Sequence, residues 1–408
     1  MKYVDEFRDR AVADGVVRAL HARVTPGRRY RLMEFCGGHT HALCRFGLMS
    51  LLPPEIELIH GPGCPVCVLP IGRLEQAIQL ARQPGVILAT YGDMLRVPAK
   101  DRVSLMRARS EGADVRVVFG AEDALRLAEA NPTREVVFFA IGFETTTPTT
   151  AVAVKTAARR GLRNFSLFVN HVTTPAALTA LLSPVDDGHG GPPPPRTDEG
   201  TRVDGFVGPG HVSTILGVAP YRAFAAQHRR PIVIAGFEPL DLLQAILMLV
   251  TQLEEGRHEV ENQFTRAVVE HGNPIALRLI EETLELRPTF EWRGLGELPS
   301  SALRLREAYR AFDAEARFEL PYASIADHRA CACPDILRGK KKPTDCKIFG
   351  TGCTPEHPMG SCMVSPEGSC AAYFAYGRRA VRRAPARAGL ALGPDLAPHL
   401  APNGGTTP

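Results

Sequence analysis

Ten cysteines in a chain of 408 residues fall into two groups whose spacings point to two kinds of chemistry. Six lie between Cys331 and Cys370, in CACPDILRGKKKPTDCKIFGTGCTPEHPMGSCMVSPEGSC. Twelve residues separate Cys333 from Cys346, or fourteen if counted from Cys331, then six precede Cys353 and sixteen lie between Cys353 and Cys370. A zinc ribbon uses tighter pairs. A cube-shaped iron–sulfur cluster suits the wide spacing better, because its four soft thiolates can arrive from separate turns.

The other cysteines sit near the N-terminus. Cys36 lies in RLMEFCGGHTHALCRFG, and Cys64 and Cys67 form C-x-x-C in IELIHGPGCPVCVLP. Each group follows an apolar run and opens a helix, with a glycine turn after Cys36 and before Cys64, so each belongs at the carboxyl end of a strand. Open α/β sheets bind ligands there, and a helix N-terminus favours a thiolate over a thiol. Read alone, C-x-x-C is a redox dithiol or half of a zinc site, and Cys36 is a metal ligand or a buried thiol.

Other side chains fit the same cleft less specifically. His39 and His41 read equally as ligands or proton carriers and as structural partners of the turn. His171 and His211 follow strand ends in NHVTTP and PGHVST. Glu144 and Glu238 occupy matching Gly-Phe-Glu positions, where a carboxylate either works as an acid–base group or satisfies nearby backbone amides; the Thr145–Thr147 run is expected to cap the next helix.

The elements that must position these groups are legible as alternating patterns. RYRLMEF, EIELIH, VILATY, VRVVFG, EVVFFAIGF, FSLFVN, VDGFVG and PIVIAGF read as strands, with amphipathic GRLEQAIQLARQ and AEDALRLAEAN between others. That alternation predicts parallel sheets with crossover helices. The fold class is therefore α/β: two parallel-sheet domains, 1–131 and 132–255, with a smaller, mainly helical or irregular C-terminal domain over 256–378 that carries the cluster. The stretch 256–325 is expected to be mainly helical. The proline run in 183–202 predicts a disordered insertion, and 379–408 a disordered tail. HGPGCPVCV echoes VGPGHVSTI, as FFAIGFETTTP echoes VIAGFEPLDLL, which suggests reuse of a strand–turn–helix unit.

Composition excludes several classes. Hydrophobic content of 45%, charged content of 23% and a formal net charge of +4 are those of an ordinary globular protein. Two short basic patches without interleaved aromatics argue against nucleic-acid binding. No apolar signal core opens the chain, and PIVIAGFEPLDLLQAILMLV carries Glu238 and Asp241, so no membrane span is expected and the cytoplasm is the expected location. In a reducing compartment this many cysteines imply metal or redox work.

The motifs MEFCGGHTHA, GPGCPVCVLP, IGFETTTPT, NHVTTPAAL, PGHVSTILG, PIVIAGFEPLDLLQ, LRGKKKPTDCKIFG, CTPEHP and CMVSPEGSCAAYF, in this order over roughly residues 1–378, resemble the HypD family of hydrogenase maturation proteins. The resemblance implies a scaffold that acts with HypC to assemble the Fe(CN)2CO unit of [NiFe]-hydrogenase. It implies that cyanide comes from HypE and electrons from a [4Fe-4S] cluster. It also implies an iron site at Cys36, a redox pair at Cys64 and Cys67, and cluster ligands at Cys333, Cys346, Cys353 and Cys370, with Cys331 as the alternative to Cys333. His39 and His41 match histidines of the iron-binding loop, while Cys44 and Cys362 fall outside the ligand pattern. The resemblance leaves open the source of CO, the order of partner binding and the resting state of the pair. The rival reading is an iron–sulfur-dependent thiol–disulfide reductase, which needs neither Cys36 nor a partner.

Overall fold

In the computed structural model, which describes residues 2, 4–182 and 203–377, all eight expected strands form. The expected insertion at 183–202 and tail at 379–408 lie outside the described residues. A five-stranded sheet has the order β2-β1-β7-β8-β9, from β1 (Tyr30–Glu34), β2 (Ile56–His60), β7 (Gly205–Gly208), β8 (Ile232–Ile234) and β9 (Val260–Asn262). A four-stranded sheet has the order β4-β3-β5-β6, from β3 (Val86–Thr90), β4 (Asp114–Val117), β5 (Glu135–Gly142) and β6 (Phe165–His171). Every neighbouring pair in both sheets is parallel. Side chains of β3 are buried throughout and those of β5 nearly so, as continuous apolar strands covered on both faces must be.

The expected boundary near residue 132 falls inside the four-stranded sheet, because β3 pairs with β4 on one side and β5 on the other. The chain lays down two strands of the first sheet, completes the second sheet, and returns for β7 to β9. Strand pairing is set by long-range contacts, which a local pattern does not encode.

Four early helices position the chemistry: α1 (Arg10–Arg23), α2 (Gly37–Arg45), α3 (Pro65–Val68) and α4 (Ile71–Ala81). Helix α1 lays Val17 and Leu20 against the apolar helix Pro239–Glu255, whose start is fixed by buried Asp241. Asp241 accepts from the Glu238 backbone N–H, from Gln263, and from both terminal nitrogens of Arg266 at 2.8 and 2.6 Å. Among the described residues no helix is long and apolar enough to cross a membrane.

The stretch 256–325 is not mainly helical. It holds one ten-residue helix, Pro274–Thr283, and then short antiparallel pairs, Leu284–Leu286 with Leu303–Leu305 and Thr289–Trp292 with Gly296–Pro299. Phe290 and Trp292 alternate with Thr289 and Glu291, and Gly294 and Gly296 turn the hairpin at φ of 82° and 81°. Trp292 is fully buried and lies 6.0 Å from the Phe143 ring, which seats the hairpin beside the end of β5. Residues 331–377 follow as short turns and single helical turns, among them Cys333–Leu337 and Ser369–Ala372.

Candidate functional site

The carboxyl ends of β1, β2, β3, β5, β6 and β7 meet around one cleft of about 410 Å³. Cys36, Pro65, Asp93, Thr146, His211 and Glu367 are among its lining residues. Six strand ends from two sheets thus contribute to a single ligand-sized hollow, as the rule for open α/β sheets predicts.

Cys36 is the N-cap residue of α2, and its sulfur lies 3.6 Å from His211 Nδ1. His211 stacks on Phe237 with ring centroids 3.9 Å apart, which fixes the imidazole over the sulfur. Two glycines let these groups close in. A Cβ on Gly37 would lie 2.5 Å from Glu367 Cβ, and one on Gly38 would lie 2.9 Å from Phe237 Cε1. Glu367 reaches the cleft from the C-terminal segment, so the site is assembled from distant parts of the chain.

Electrostatics reverses one expectation. Burial pushes the Cys36 thiol up to about 12, and the negative charges of Glu367 and Glu34 add to the rise. The helix N-terminus is present as expected, yet desolvation of the thiolate and two carboxylates outweigh it. Glu367 is itself raised by burial and by Asp93 and Glu34. The cleft therefore holds a buried thiol among carboxylates, an arrangement that a bound cation would favour.

Beneath Cys36 runs a buried polar chain. Glu34 accepts the Cys36 backbone N–H at 3.1 Å, the Thr40 hydroxyl, and His60 Nδ1–H at 2.7 Å. His60 Nε2 is bonded at 2.9 Å to the Tyr373 hydroxyl. Neither Glu34 nor His60 was a sequence candidate, although both end the strands that deliver the cysteines; nor were Asp93 and Glu367, whose only signal was their place beside a strand end or a cysteine.

The predicted histidines divide. His211 joins the cleft, whereas His171 is buried with its Nε2 2.9 Å from the Thr150 hydroxyl oxygen. His39 donates Nε2–H to the Ala235 carbonyl at 3.0 Å, and His41 donates Nδ1–H to the Pro366 carbonyl at 3.3 Å. Burial lowers His39 and His171 to about 4, so both are neutral near pH 7. Of the matching glutamates, Glu238 caps the helix Pro239–Glu255 and pairs with Arg8, while Glu144 is buried and accepts from the Thr174 backbone and hydroxyl at 2.8 and 3.0 Å. The threonine run does not cap its helix. Thr146 and Thr147 instead donate to the Phe143 carbonyl at 3.3 and 2.9 Å.

Burial raises Glu144 to about 7 from its ordinary 4.5. The folded protein therefore binds this proton more tightly than the unfolded chain, and the carboxyl costs stability progressively as pH rises from about 4.5 to about 7. Glu144→Gln removes that cost. The variant should match the parent in urea unfolding at pH 4.5 and exceed it by about 1–3 kcal/mol at pH 8.

Cys64 and Cys67 are joined as a disulfide at the start of α3. Gly63, just before them, packs on the Cys36 backbone, and its carbonyl accepts the Gly37 N–H at 3.1 Å. On the other side, the Ser361 hydroxyl donates to the Cys67 carbonyl at 3.1 Å. The disulfide thus lies between the Cys36 loop and the C-terminal cysteines.

Among those cysteines, the thiols of Cys331 and Cys370 are each raised by the neighbouring Cys333 thiol and by burial, and burial, with Cys331 and Cys333, raises the Cys353 thiol. A Cβ on Gly360 would lie 2.5 Å from the sulfurs of both Cys331 and Cys333. Cys346 Sγ is 3.9 Å from the carbonyl of Ala330, next to Cys331. Cys362 is fully buried beside Cys370. Among the described residues no three His, Cys, Asp or Glu side chains are disposed around a single ion position. A cuboidal cluster makes a different demand, since each thiolate binds its own iron at a separate corner. The donor set, several mutually close thiols held up by burial and by one another, fits such a group.

The family described as "Hydrogenase formation hypA family", HypD, matches residues 11–377. The chain is 61% identical over 380 residues to "Hydrogenase maturation factor HypD" of Azotobacter vinelandii, covering 93% of this chain and 98% of that protein. It is 58% identical to the protein of that name from Rhizobium leguminosarum bv. viciae over 93% of this chain and 96% of the relative. For the Escherichia coli (strain K12) protein so named, identity is 45% over 92% of this chain and 98% of the relative.

Proposed function

Because the chain belongs to the HypD family of hydrogenase maturation proteins, we propose that it forms, with HypC, the scaffold on which the Fe(CN)2CO unit of [NiFe]-hydrogenase is assembled. The observation that carries this reading is the Cys36 sulfur, buried 3.6 Å from His211 in a cleft built from six strand ends, with the Cys64–Cys67 pair packed behind it.

Iron is the cargo. Cyanide-bearing iron is soft and low-spin and prefers sulfur donors, so Cys36 supplies one thiolate and HypC a second. Iron's charge offsets what now holds the Cys36 proton on, and the neutral His211 is within reach to take that proton. Glu34 anchors the Cys36 backbone, and the small cleft limits water around the metal.

Cyanide arrives bound to sulfur on HypE, and freeing it consumes two electrons. The reduced Cys64/Cys67 pair balances the step: two thiols and a thiocyanate give the disulfide, a thiol on the donor, cyanide and one proton. A [4Fe-4S] cluster held by Cys353 and Cys370 with Cys333 or Cys331, and Cys346 as the remaining ligand, would supply single electrons of the kind that restoring the dithiol requires. The Ser361–Cys67 bond keeps the two sulfur centres in fixed relation.

Infrared spectroscopy of the complex with HypC, purified without oxygen, tests the proposal. Cyanide and carbonyl stretching bands should be present and should vanish in Cys36→Ala. Their absence from the parent complex would refute assembly on this chain and leave the disulfide-reductase reading.

A further inference from the structure

Arg293 is a buried cation with no hydrogen-bond acceptor. Only 3% of the residue is exposed, and Nε and both terminal nitrogens of its guanidinium are buried without a hydrogen bond among the described residues. Among the described residues its charge partner is Asp327, at 3.4 Å from Nε. A planar group with five donors normally satisfies them when buried, and leaving it unsatisfied costs several kcal/mol. With Asp327 near Nε alone, the unbonded terminal nitrogens call for a further acceptor.

Four segments converge on this position. The Arg293 backbone N–H donates to the Val68 carbonyl at 2.7 Å, one residue beyond the disulfide. A Cβ on the next residue, Gly294, would lie 3.0 Å from Pro334 Cα, beside Cys333. The partner carboxylate belongs to Asp327, which lies four residues before Cys331. Ser361, bonded to Cys67, follows the Gly360 that lies against the Cys331 and Cys333 sulfurs. The cation therefore sits where the disulfide helix meets the cysteine cluster.

We propose that Arg293 is the positioning residue that supplies a buried positive charge, and hydrogen bonds, to the sulfur of an iron–sulfur cluster on the C-terminal cysteines, setting its reduction potential. This rests on the cluster reading above. A cuboidal core on four thiolates is net negative and gains further negative charge on reduction, so a fixed nearby cation favours the reduced form. Arginine suits the task because its donors fan out in one plane toward several acceptors. The charge is retained at a cost to the cluster-free chain, which would be more stable with an apolar side chain there.

The experiment compares full-length parent, R293M and R293K, purified without oxygen, by redox titration followed with electron paramagnetic resonance and by thermal unfolding of the cluster-free forms. R293M should lower the cluster potential by at least a tenfold change in the oxidised-to-reduced ratio, about 59 mV for one electron. R293K keeps the charge and should shift it less. Cluster-free R293M should unfold at a higher temperature than cluster-free parent, the opposite of what loss of a useful ion pair to Asp327 would give. If R293M does not retain its cluster, R293Q is read by the same criteria. An unchanged potential with lowered cluster-free stability overturns the role of Arg293 and leaves the cluster reading standing, whereas a parent protein with no cluster signal removes both.

Discussion

Cys64→Ser protein should keep the proposed C-terminal cluster, bind iron at Cys36 and fail to load the two cyanides of the proposed unit. The substitution changes little in the fold. Cys64 is the N-cap residue of α3, where its sulfur accepts the Cys67 N–H at 3.2 Å, and a serine hydroxyl caps the same donor well. The disulfide spans only three positions in sequence, so the loop-entropy argument assigns it no more than about 2 kcal/mol. What disappears is the two-electron couple. A lone Cys67 thiol can displace cyanide only by forming a mixed disulfide with the donor sulfur, which no second thiol then resolves, so delivery stops after at most one cyanide. Hydrogenase activity in cells relying on the variant should fall by more than about a hundredfold, as it does when a residue essential to a reaction is removed. The infrared bands of a two-cyanide iron should be missing while the resonance signal of the proposed cluster stays. Normal cyanide bands in Cys64→Ser would show that the electrons come from elsewhere.

Strands are more legible in this sequence than their partition between sheets. The strands were legible because buried parallel strands are continuous apolar runs, and β3 and β5 are such runs end to end. Their partition was not, because nothing in VILATY says that it pairs with EVVFFAIGF rather than with EIELIH. The cysteine-bearing turns were legible from glycine and proline after a strand. The protonation of Cys36 was not, because it depends on burial and on Glu367, which reaches the cleft from more than three hundred residues further along the chain. His39 and His41 illustrate a further limit. Proximity to Cys36 in sequence put them in the site loop, but the turn of α2 aims one at the Ala235 carbonyl and the other at Pro366. His211, from the other half of the first sheet, is the imidazole that meets the sulfur. Local motifs report which residues leave a strand end, while tertiary packing decides which of them face inward together.

Gly63→Ala is the sharpest test of how that packing holds Cys36, the proposed iron ligand. A methyl at this position would lie 2.5 Å from the Cys36 nitrogen, 2.7 Å from its Cα and 2.7 Å from the Phe35 carbonyl carbon. All three are backbone atoms of the turn, so no side-chain rotation relieves the overlap. The turn must move, and with it go the Gly37 N–H to Gly63 carbonyl bond, the Glu34 bond to Cys36 and the contact with His211. Overpacking of a rigid interior costs about 3 kcal/mol, enough to be read in equilibrium unfolding. The functional loss should be larger than the stability loss, because a displacement of about 1 Å at a reacting centre costs on the order of a hundredfold in rate. Gly47→Ala supplies the control: that residue sits at φ 65° with nothing within 4 Å of its added Cβ, so it pays only the left-handed backbone penalty of about 1 kcal/mol. Iron retained by the purified HypC complex, measured beside hydrogenase activity, separates the two effects. If Gly63→Ala holds iron and matures hydrogenase as well as Gly47→Ala does, the close backbone contact between the Cys36 loop and the C-x-x-C turn is not what positions the iron.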